Sequence, residues 1–507
     1  MDFALNLLTQ VLALTFPSPA HQHCLSLRSS LQLENTTILG VSYHASPSKL
    51  KTLGVCQSAA GTSVPLCRVQ FQTRTSESSG ITAEAWLPDE WHGRFMAIGN
   101  GGLGGCIDYS QLDHGSALHF ATVGSNNGHD GDTALPFFNN PEVLTDFSHR
   151  SIHVQSLIGK QIVQAYYGRP HSKSYYLGCS TGGRQGTQSA LKYPDEFDGV
   201  IAGAPAIDFT HLIHWTGMLS RYIGAPDASS SPAFIPLDLW QLIAAELLRQ
   251  CDALDGVLDG IIADPDACDF RPEALLCDGK KEPCLTQAQV GALRKIYSPL
   301  YGPEGEMWYP RFSPGSEKSP LLSFALSGQF PAYPEEWMKY VVLNTSFDAS
   351  TYGLKDGILI ASTDITDVAT FSGDLSAFRG RGGKFLAFHG TADPIIPSGI
   401  SKRYYDLVAR TMGMPATSMD EFYRFFVVPG MDHCSGAAFD GVHHHIGQVK
   451  SGANANESSS HVVLAMVDWV EGGVAPEEIV GRDEVGTKRR HCRYPRRSVW
   501  DGEFICV

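Results

Sequence analysis

Ser174-Tyr-Tyr-Leu-Gly-Cys-Ser-Thr-Gly-Gly-Arg-Gln-Gly186 is an apolar strand that passes through a glycine-flanked serine into a helix-like stretch. Its centre, Gly178-Cys-Ser-Thr-Gly182, fits G-x-S-x-G, and Gly183 follows. Between a strand and a helix that pattern is a nucleophile elbow. The turn is sharp enough to strain the backbone at Ser180, so glycines must flank it. It lifts the Ser180 hydroxyl above the sheet and offers the Thr181 backbone N–H to a developing oxyanion. A dinucleotide-binding turn would need G-x-G-x-x-G, a spacing this stretch does not have.

Outward from the elbow, short apolar strands alternate with helical patterns. Arg94-Phe-Met-Ala-Ile98 is a predicted strand and runs into a glycine loop, Gly99-Asn-Gly-Gly-Leu-Gly-Gly105. Residues 151–167 carry Ile152, Leu157, Ile158, Ile162, Val163 and Tyr166 at helical spacing, and Gly168-Arg-Pro170 stops them. Val200-Ile-Ala202, Lys384–Phe388 and Phe422–Val428 are further strands, and 460–471 is a helix. Such alternation predicts a parallel sheet, here an α/β-hydrolase core.

A serine nucleophile needs a base, and the base needs an orienting acid, in the chain order Ser, Asp, His. The strand at 384–388 runs into His389-Gly-Thr-Ala-Asp393, and the strand at 422–428 into Pro429-Gly-Met-Asp-His-Cys434. Ser180, Asp393 and His433 are therefore the candidate nucleophile, acid and base. His389 and Asp432 are rivals with structural roles as the simpler assignment. Gly102 of the glycine loop is the candidate partner of Thr181 in the oxyanion hole. Cys179 precedes Ser180 and Cys434 follows His433. A disulfide between them would staple the elbow to the histidine loop.

Asp393 lies much further beyond Ser180 than a few sheet elements require. Residues 206–380 are irregular and rich in Pro and Trp, and predict an inserted lid domain. The catalytic domain would then be 21–205 with 381–507. Inside the insert is Cys251-Asp-Ala-Leu-Asp-Gly-Val-Leu-Asp-Gly-Ile261. Carboxylates of Asp252, Asp255 and Asp259 with carbonyls of Val257 and Ile261 would give the hard oxygen shell that suits Ca²⁺. Two ordinary Asp-Gly turns explain the pattern equally well.

The 507 residues are 43% apolar and 18% charged, ample for a large core. Net charge is −15, so a nucleic-acid-binding face is not expected. Residues 3–16, FALNLLTQVLALTF, with Ser18-Pro-Ala20, predict a signal peptide over 1–20, although Met1-Asp2 lacks Lys or Arg; a buried N-terminal helix is the alternative. No stretch reaches about 18 apolar residues, so no membrane anchor is expected. Asn35, Asn344 and Asn456 stand in N-x-S/T glycosylation sequons. The twelve cysteines include no C-x-x-C. Lys488, Arg489, Arg490, Arg493, Arg496 and Arg497 form a basic tail that is expected to be solvated surface. Oligomeric state has no signature in the sequence.

Together these stretches resemble the fungal tannase/feruloyl esterase family across roughly residues 24–507. The match rests on Trp91-His-Gly-Arg-Phe95 with Gly99–Gly105, Ser125-Asn-Asn-Gly-His129, Gly178–Gly186, Asp252–Ile261, Asp393, His433-Cys434 and Val467-Asp-Trp-Val470. The resemblance implies a secreted, calcium-stabilised serine esterase acting on esters of aromatic hydroxy acids. It carries the triad onto Ser180, Asp393 and His433, and the calcium site onto Asp252, Asp255, Val257, Asp259 and Ile261. It implies the pairings Cys24–Cys67, Cys56–Cys106, Cys179–Cys434, Cys251–Cys268, Cys277–Cys284 and Cys492–Cys506. The chain departs from the family in its leader and in the basic segment between Cys492 and Cys506. A tannase acting on galloyl esters, a lipase or peptidase on the same core, and a calcium-stabilised binding protein without turnover are the alternatives.

Overall fold

The computed structural model describes residues 18–56, 60–279, 283–437 and 439–507. The apolar run at 3–16, with most of the expected leader, lies outside the described residues. Helix α1 (Pro19–Ser30) begins at the expected leader's end, where Ser18 Oγ accepts a hydrogen bond from the His21 N–H.

Among the described residues, nine strands make one central sheet. In chain order they are β1 (Thr36–His44), β2 (Leu66–Arg74), β3 (Gly80–Pro88), β4 (Arg94–Ile98), β5 (Phe120–Ser125), β6 (Lys173–Cys179), β7 (Gly199–Gly203), β8 (Lys384–Gly390) and β9 (Tyr423–Val428). Across the sheet they run β1-β2-β3-β5-β4-β6-β7-β8-β9. The first four in that order pair antiparallel, and from β5 to β9 every neighbour is parallel.

Helices cover both faces. On one side are α3 (Ser151–Tyr167) and α4 (Thr181–Lys192); on the other are α2 (Tyr109–Ala117) and α8 (Val462–Gly472). Strand side chains alternate between the two apolar clusters. Tyr176, Phe385 and Ala387 join Ile152 and Ile162, whereas Tyr175, Leu177, Leu386 and Phe388 join Leu112 and Met466. Burial on both faces is why these strands are almost continuously apolar. Helix α3 ends at Gly168, whose φ of 67° makes the left-handed turn that stops it.

Residues 206–380 leave the sheet after β7 and return before β8, with α5 (Phe209–Tyr222) and α6 (Leu239–Cys251) near their start. Trp215, Leu219, Trp240, Leu247 and Trp337 of this stretch join the same cluster as Ile152 and Ile162. After α7 (Gly399–Thr411), β9 and α8, the chain ends in two ribbons. These are β10 (Glu478–Arg482) with β11 (Lys488–Cys492), and β12 (Ser498–Trp500) with β13 (Phe504–Cys506).

The ribbons correct the expectation of a wholly solvated basic tail. Lys488, Arg490, Arg496 and Arg497 are exposed, but Arg489 is only 1% exposed. Arg493 pairs with Asp420 at 2.6 Å and Glu477 at 2.6 Å. Strand alternation is the reason: successive residues of β11 face opposite ways, so a run of cations cannot all face water.

All six cysteine pairings implied by the resemblance are disulfides, and no described cysteine is free. No helix among the described residues is long and apolar enough to cross a membrane.

Candidate active site

Strand β6 ends at Cys179 and α4 starts at Thr181, which leaves Ser180 alone to make the turn. Its φ is 63° and its ψ −125°, a strained conformation for a residue with a side chain. The backbone clamps it from both sides: Ser180 N–H donates to Gly203 O at 3.0 Å, and Ser180 O accepts from Ala206 N–H at 2.9 Å. The motif's glycines are set by closeness. A Cβ on Gly178 would lie 2.7 Å from Gly182 C, and one on Gly183 would lie 2.4 Å from Gly203 O.

The glycine loop is tied to the elbow. Thr181 Oγ1 donates to Gly102 O at 2.5 Å. Gln185, one turn into α4, accepts from Asn100 N–H at 2.9 Å and donates to Asn100 Oδ1 at 3.0 Å. Asn100 in turn donates to Cys106 O and Ser125 O. The two expected oxyanion-hole residues, Thr181 and Gly102, are thus brought together. Gly102 has a φ of 58°, and a Cβ there would strike Asp132 Oδ1 at 2.4 Å and Tyr333 Oη at 2.3 Å. The sequence reading missed Gln185 and Asn100; the Gln in GCSTGGRQG was the available signal.

Asp393 and His433, the expected acid and base, lie in loops after β8 and β9. His433 Nδ1–H donates to Asp393 Oδ2 at 2.7 Å, which leaves His433 Nε2 as the acceptor. Asp393 Oδ1 accepts the backbone N–H groups of Ile395 at 2.9 Å and Ile396 at 2.8 Å. Asp393 is fully buried. Burial opposes its charge, but His433 and His389 outweigh it and hold the carboxyl well below the usual carboxylate range. Burial likewise lowers the His433 pKa, and the Asp393 charge and hydrogen bond more than reverse that, so it is raised.

The two rivals hold the site together. His389 Nε2–H donates to Ile396 O at 2.8 Å and lies 3.4 Å from Asp393 Oδ2. Asp432 accepts from His433 N–H at 2.7 Å and from Ser319 Oγ at 2.6 Å. Ser319 belongs to the insert, which reaches the glycine loop as well: Tyr333 Oη donates to Asp132, whose other oxygen takes Leu103 N–H.

Cys179–Cys434 joins the elbow to the histidine loop across 255 positions of sequence, with 5.8 Å between the Cα atoms. Ser180 and His433 line one cavity of about 280 Å³, together with Gly101, Gly102, Phe388 and Gln448. A serine on a strained turn and a histidine hydrogen-bonded to a buried aspartate thus border one cavity, an arrangement capable of acyl transfer.

In the insert, Asp252 accepts from Gly260 N–H at 3.1 Å, and Asp259 Oδ1 from Ile261 N–H at 3.0 Å. The outer oxygens of Asp255 and Asp259 pair with Arg489, at 2.7 and 3.0 Å. Two other trios, Glu90/His92/His119 and His444/His445/Glu484, gather their ligand atoms within 4.8 Å of one another; the loop aspartates are not gathered to that degree. In the second trio Gly436 N–H donates to His444 Nδ1, so Nε2 carries the proton it shares with Glu484. That trio is a hydrogen-bonded clamp.

The chain as a whole is similar to known proteins. The family model described as tannase and feruloyl esterase matches residues 67–506. Feruloyl esterase B of Aspergillus niger is 42% identical over 504 residues, covering 97% of this chain and 95% of that protein. The crystal structure of feruloyl esterase B from Aspergillus oryzae superposes with a TM-score of 0.92 at 39% identity, covering 96% of this chain and all of that one. A tannin acyl hydrolase from Aspergillus niger shares the fold, with a TM-score of 0.75 at 23% identity over 94% of this chain and 92% of that one. The chain belongs to the tannase and feruloyl esterase family, and is a carboxylic ester hydrolase built on an α/β-hydrolase fold.

Proposed function

We propose that the protein is a secreted serine esterase that hydrolyses feruloyl-type esters of aromatic hydroxy acids through Ser180, His433 and Asp393. The observation that carries this reading is the shared cavity: Ser180 on its strained turn and His433 on its Asp393 hydrogen bond line the same space. The names of the relatives support the acyl class.

His433 Nε2 takes the Ser180 proton as Oγ attacks the ester carbonyl. The carbonyl oxygen becomes an oxyanion, held by the N–H of Thr181 and a backbone N–H at Gly102. His433 returns the proton to the departing alcohol, and an acyl-serine remains. Water, deprotonated by His433, attacks that ester; the acid leaves and Ser180 regains its proton. Asp393 fixes the His433 ring and stabilises it while charged.

The loop 252–261 fits the Ca²⁺ that the family resemblance implies. Its donor set is three carboxylates, and among the described residues no backbone N–H reaches the carbonyl oxygens of Val257 or buried Ile261. Asp252, Asp255, Asp259 and these two carbonyls would hold the ion, which would brace the insert and take no part in the chemistry. The insert acts as a lid that bears on the glycine and histidine loops through Tyr333 and Ser319. Six disulfides support passage through an oxidising compartment. The leader at 1–20 would direct it there. Asn35, Asn344 and Asn456 are all exposed, as glycan acceptors must be.

The test is Ser180→Ala against methyl ferulate, methyl caffeate and methyl gallate. Hydrolysis of all three is expected to vanish, with labelling by a fluorophosphonate probe, while the melting temperature stays near wild type. Turnover that survives in the variant refutes the mechanism. A wild type that prefers gallate, long-chain esters or peptide amides refutes the acyl class alone.

A further inference from the structure

The acidic loop of the insert does not stand free. Arg489, from β11 near the C-terminus, lies against it with its side chain fully buried. One terminal nitrogen donates to Asp255 Oδ2 at 2.7 Å and the other to Asp259 Oδ2 at 3.0 Å. The guanidinium plane rests on Phe504 of β13, its carbon 4.0 Å from the ring centroid. The Cys492–Cys506 disulfide closes the segment that carries Phe504 onto β11. Trp500 of the same segment meets the loop's turn: a Cβ on Gly256 would lie 2.8 Å from Trp500 O. Arg489, Phe504, Trp500 and the disulfide therefore form one rigid seat against Asp255–Asp259.

A buried guanidinium needs partners for its charge and its N–H groups, and a planar fork suits two carboxylates better than an ammonium would. The charge count is then informative. Asp252, Asp255 and Asp259 carry three negative charges, and Arg489 returns one. The pairing uses the Oδ2 atoms of Asp255 and Asp259, while their Oδ1 atoms accept the backbone N–H groups of Val257 at 3.4 Å and Ile261 at 3.0 Å, each keeping a further lone pair. What remains is a formal −2 with oxygen donors still available.

We propose that Arg489 is a built-in counter-ion of this loop. It sets the site's demand to a divalent cation and holds the loop in shape when no cation is bound. Without it the same donors would present −3, a charge that favours a trivalent ion of similar size, because attraction scales with the product of the charges. The inference rests on the calcium reading above, and the experiment separates the two.

The test uses chelator-stripped full-length protein titrated with CaCl₂ and, separately, TbCl₃. Binding is read by calorimetry and by Tb³⁺ luminescence, and stability by thermal melting. Wild type should bind Ca²⁺. Arg489→Gln should raise the Tb³⁺:Ca²⁺ affinity ratio by about tenfold or more. It should lower the melting temperature of the stripped protein more than that of the loaded protein. Arg489→Lys should keep the ratio near wild type. The double variant Arg489→Gln/Asp259→Asn restores −2 and should restore the ratio, and it serves if Arg489→Gln alone does not fold. An unchanged ratio in Arg489→Gln, or a double variant that still prefers Tb³⁺, overturns the proposal and leaves the calcium site standing. Uptake of neither ion by wild type overturns both.

Discussion

At the residue scale the chemistry turns on which groups are charged. If His433 is the base for Ser180, as proposed, it must be neutral to accept the proton, and activity should be lost as it protonates. Burial pushes its pKa down, but Asp393 overrides burial, so the acid limb of kcat/KM should have its midpoint above the ordinary histidine value of about 6.5. Asp393→Asn removes that charge and disturbs the tautomer. It should move the midpoint down and cost about 10⁴ in kcat. A pH–rate profile of both proteins checks this, and an identical midpoint would discount the pair. Stability follows the same signs. The contribution of Asp393, whose pKa is depressed in the fold, is present above the ordinary carboxylate range and is lost as pH falls toward its lower folded value. That of His433 is present below its ordinary value and is lost as pH rises through its higher folded value. The positions of these residues in the fold were legible because each follows a strand at a fixed point of a recurring topology. Arg489 was not, because nothing in Lys488-Arg-Arg-His-Cys492 marks which cation turns inward.

At the scale of elements, five of the six strands in the parallel run, β4 and β6 to β9, were legible, whereas β5 and the antiparallel β1 to β3 were not. β6, β7, β8 and β9 are buried on both faces and read as apolar runs. β2 and β3 are also largely buried, yet Arg68, Gln70 and Glu84 interrupt them. Their polarity is satisfied across the ladder: Arg68 forks onto Glu84 at 2.5 and 2.6 Å, and Trp86 and Tyr109 donate to the same carboxylate. A cross-strand ion pair has no signature in a single strand's pattern. The histidine loop illustrates the opposite case, since Cys179 and Cys434 announced it through their neighbours Ser180 and His433. Both Ser180 and Cys434 have positive φ, at 63° and 64°, so the disulfide closes between two tight turns. Replacing both cysteines by alanine should cost up to about 5.5 kcal/mol in the chain-entropy model, which is itself contested. Because the bridge also sets where His433 lies, kcat should fall while fluorophosphonate still labels Ser180 slowly. Melting curves and labelling rates measure the two effects, and an unchanged labelling rate would limit the bridge to stability.

At the scale of the whole molecule, the insert and the C-terminal ribbons complete what the sheet begins. The sheet supplies Ser180, Asp393 and His433 at the ends of β6, β8 and β9. The insert supplies Ser319 behind Asp432 and Tyr333 behind Asp132, and the ribbons supply the seat under the acidic loop. That a long stretch separates the strand after Ser180 from the strand before Asp393 was legible from spacing; its contacts were not, because they depend on side chains that meet only after the chain returns to the sheet. If Ca²⁺ braces the loop from outside the cavity, its removal should weaken the fold more than the reaction. A ligand present at about 100 times its Kd stabilises the folded state by about 2.7 kcal/mol, so excess chelator should lower the melting temperature by a few degrees. The initial rate on methyl ferulate at 25 °C should stay near that of the loaded enzyme, since Ser180 and His433 line a cavity to which the loop contributes no wall. Arg489 should keep the stripped loop from collapsing. Melting curves and initial rates in chelator, with calcium added back, decide the matter. A rate that falls in step with calcium occupancy at 25 °C would place the ion in the catalytic cycle and overturn its purely structural role.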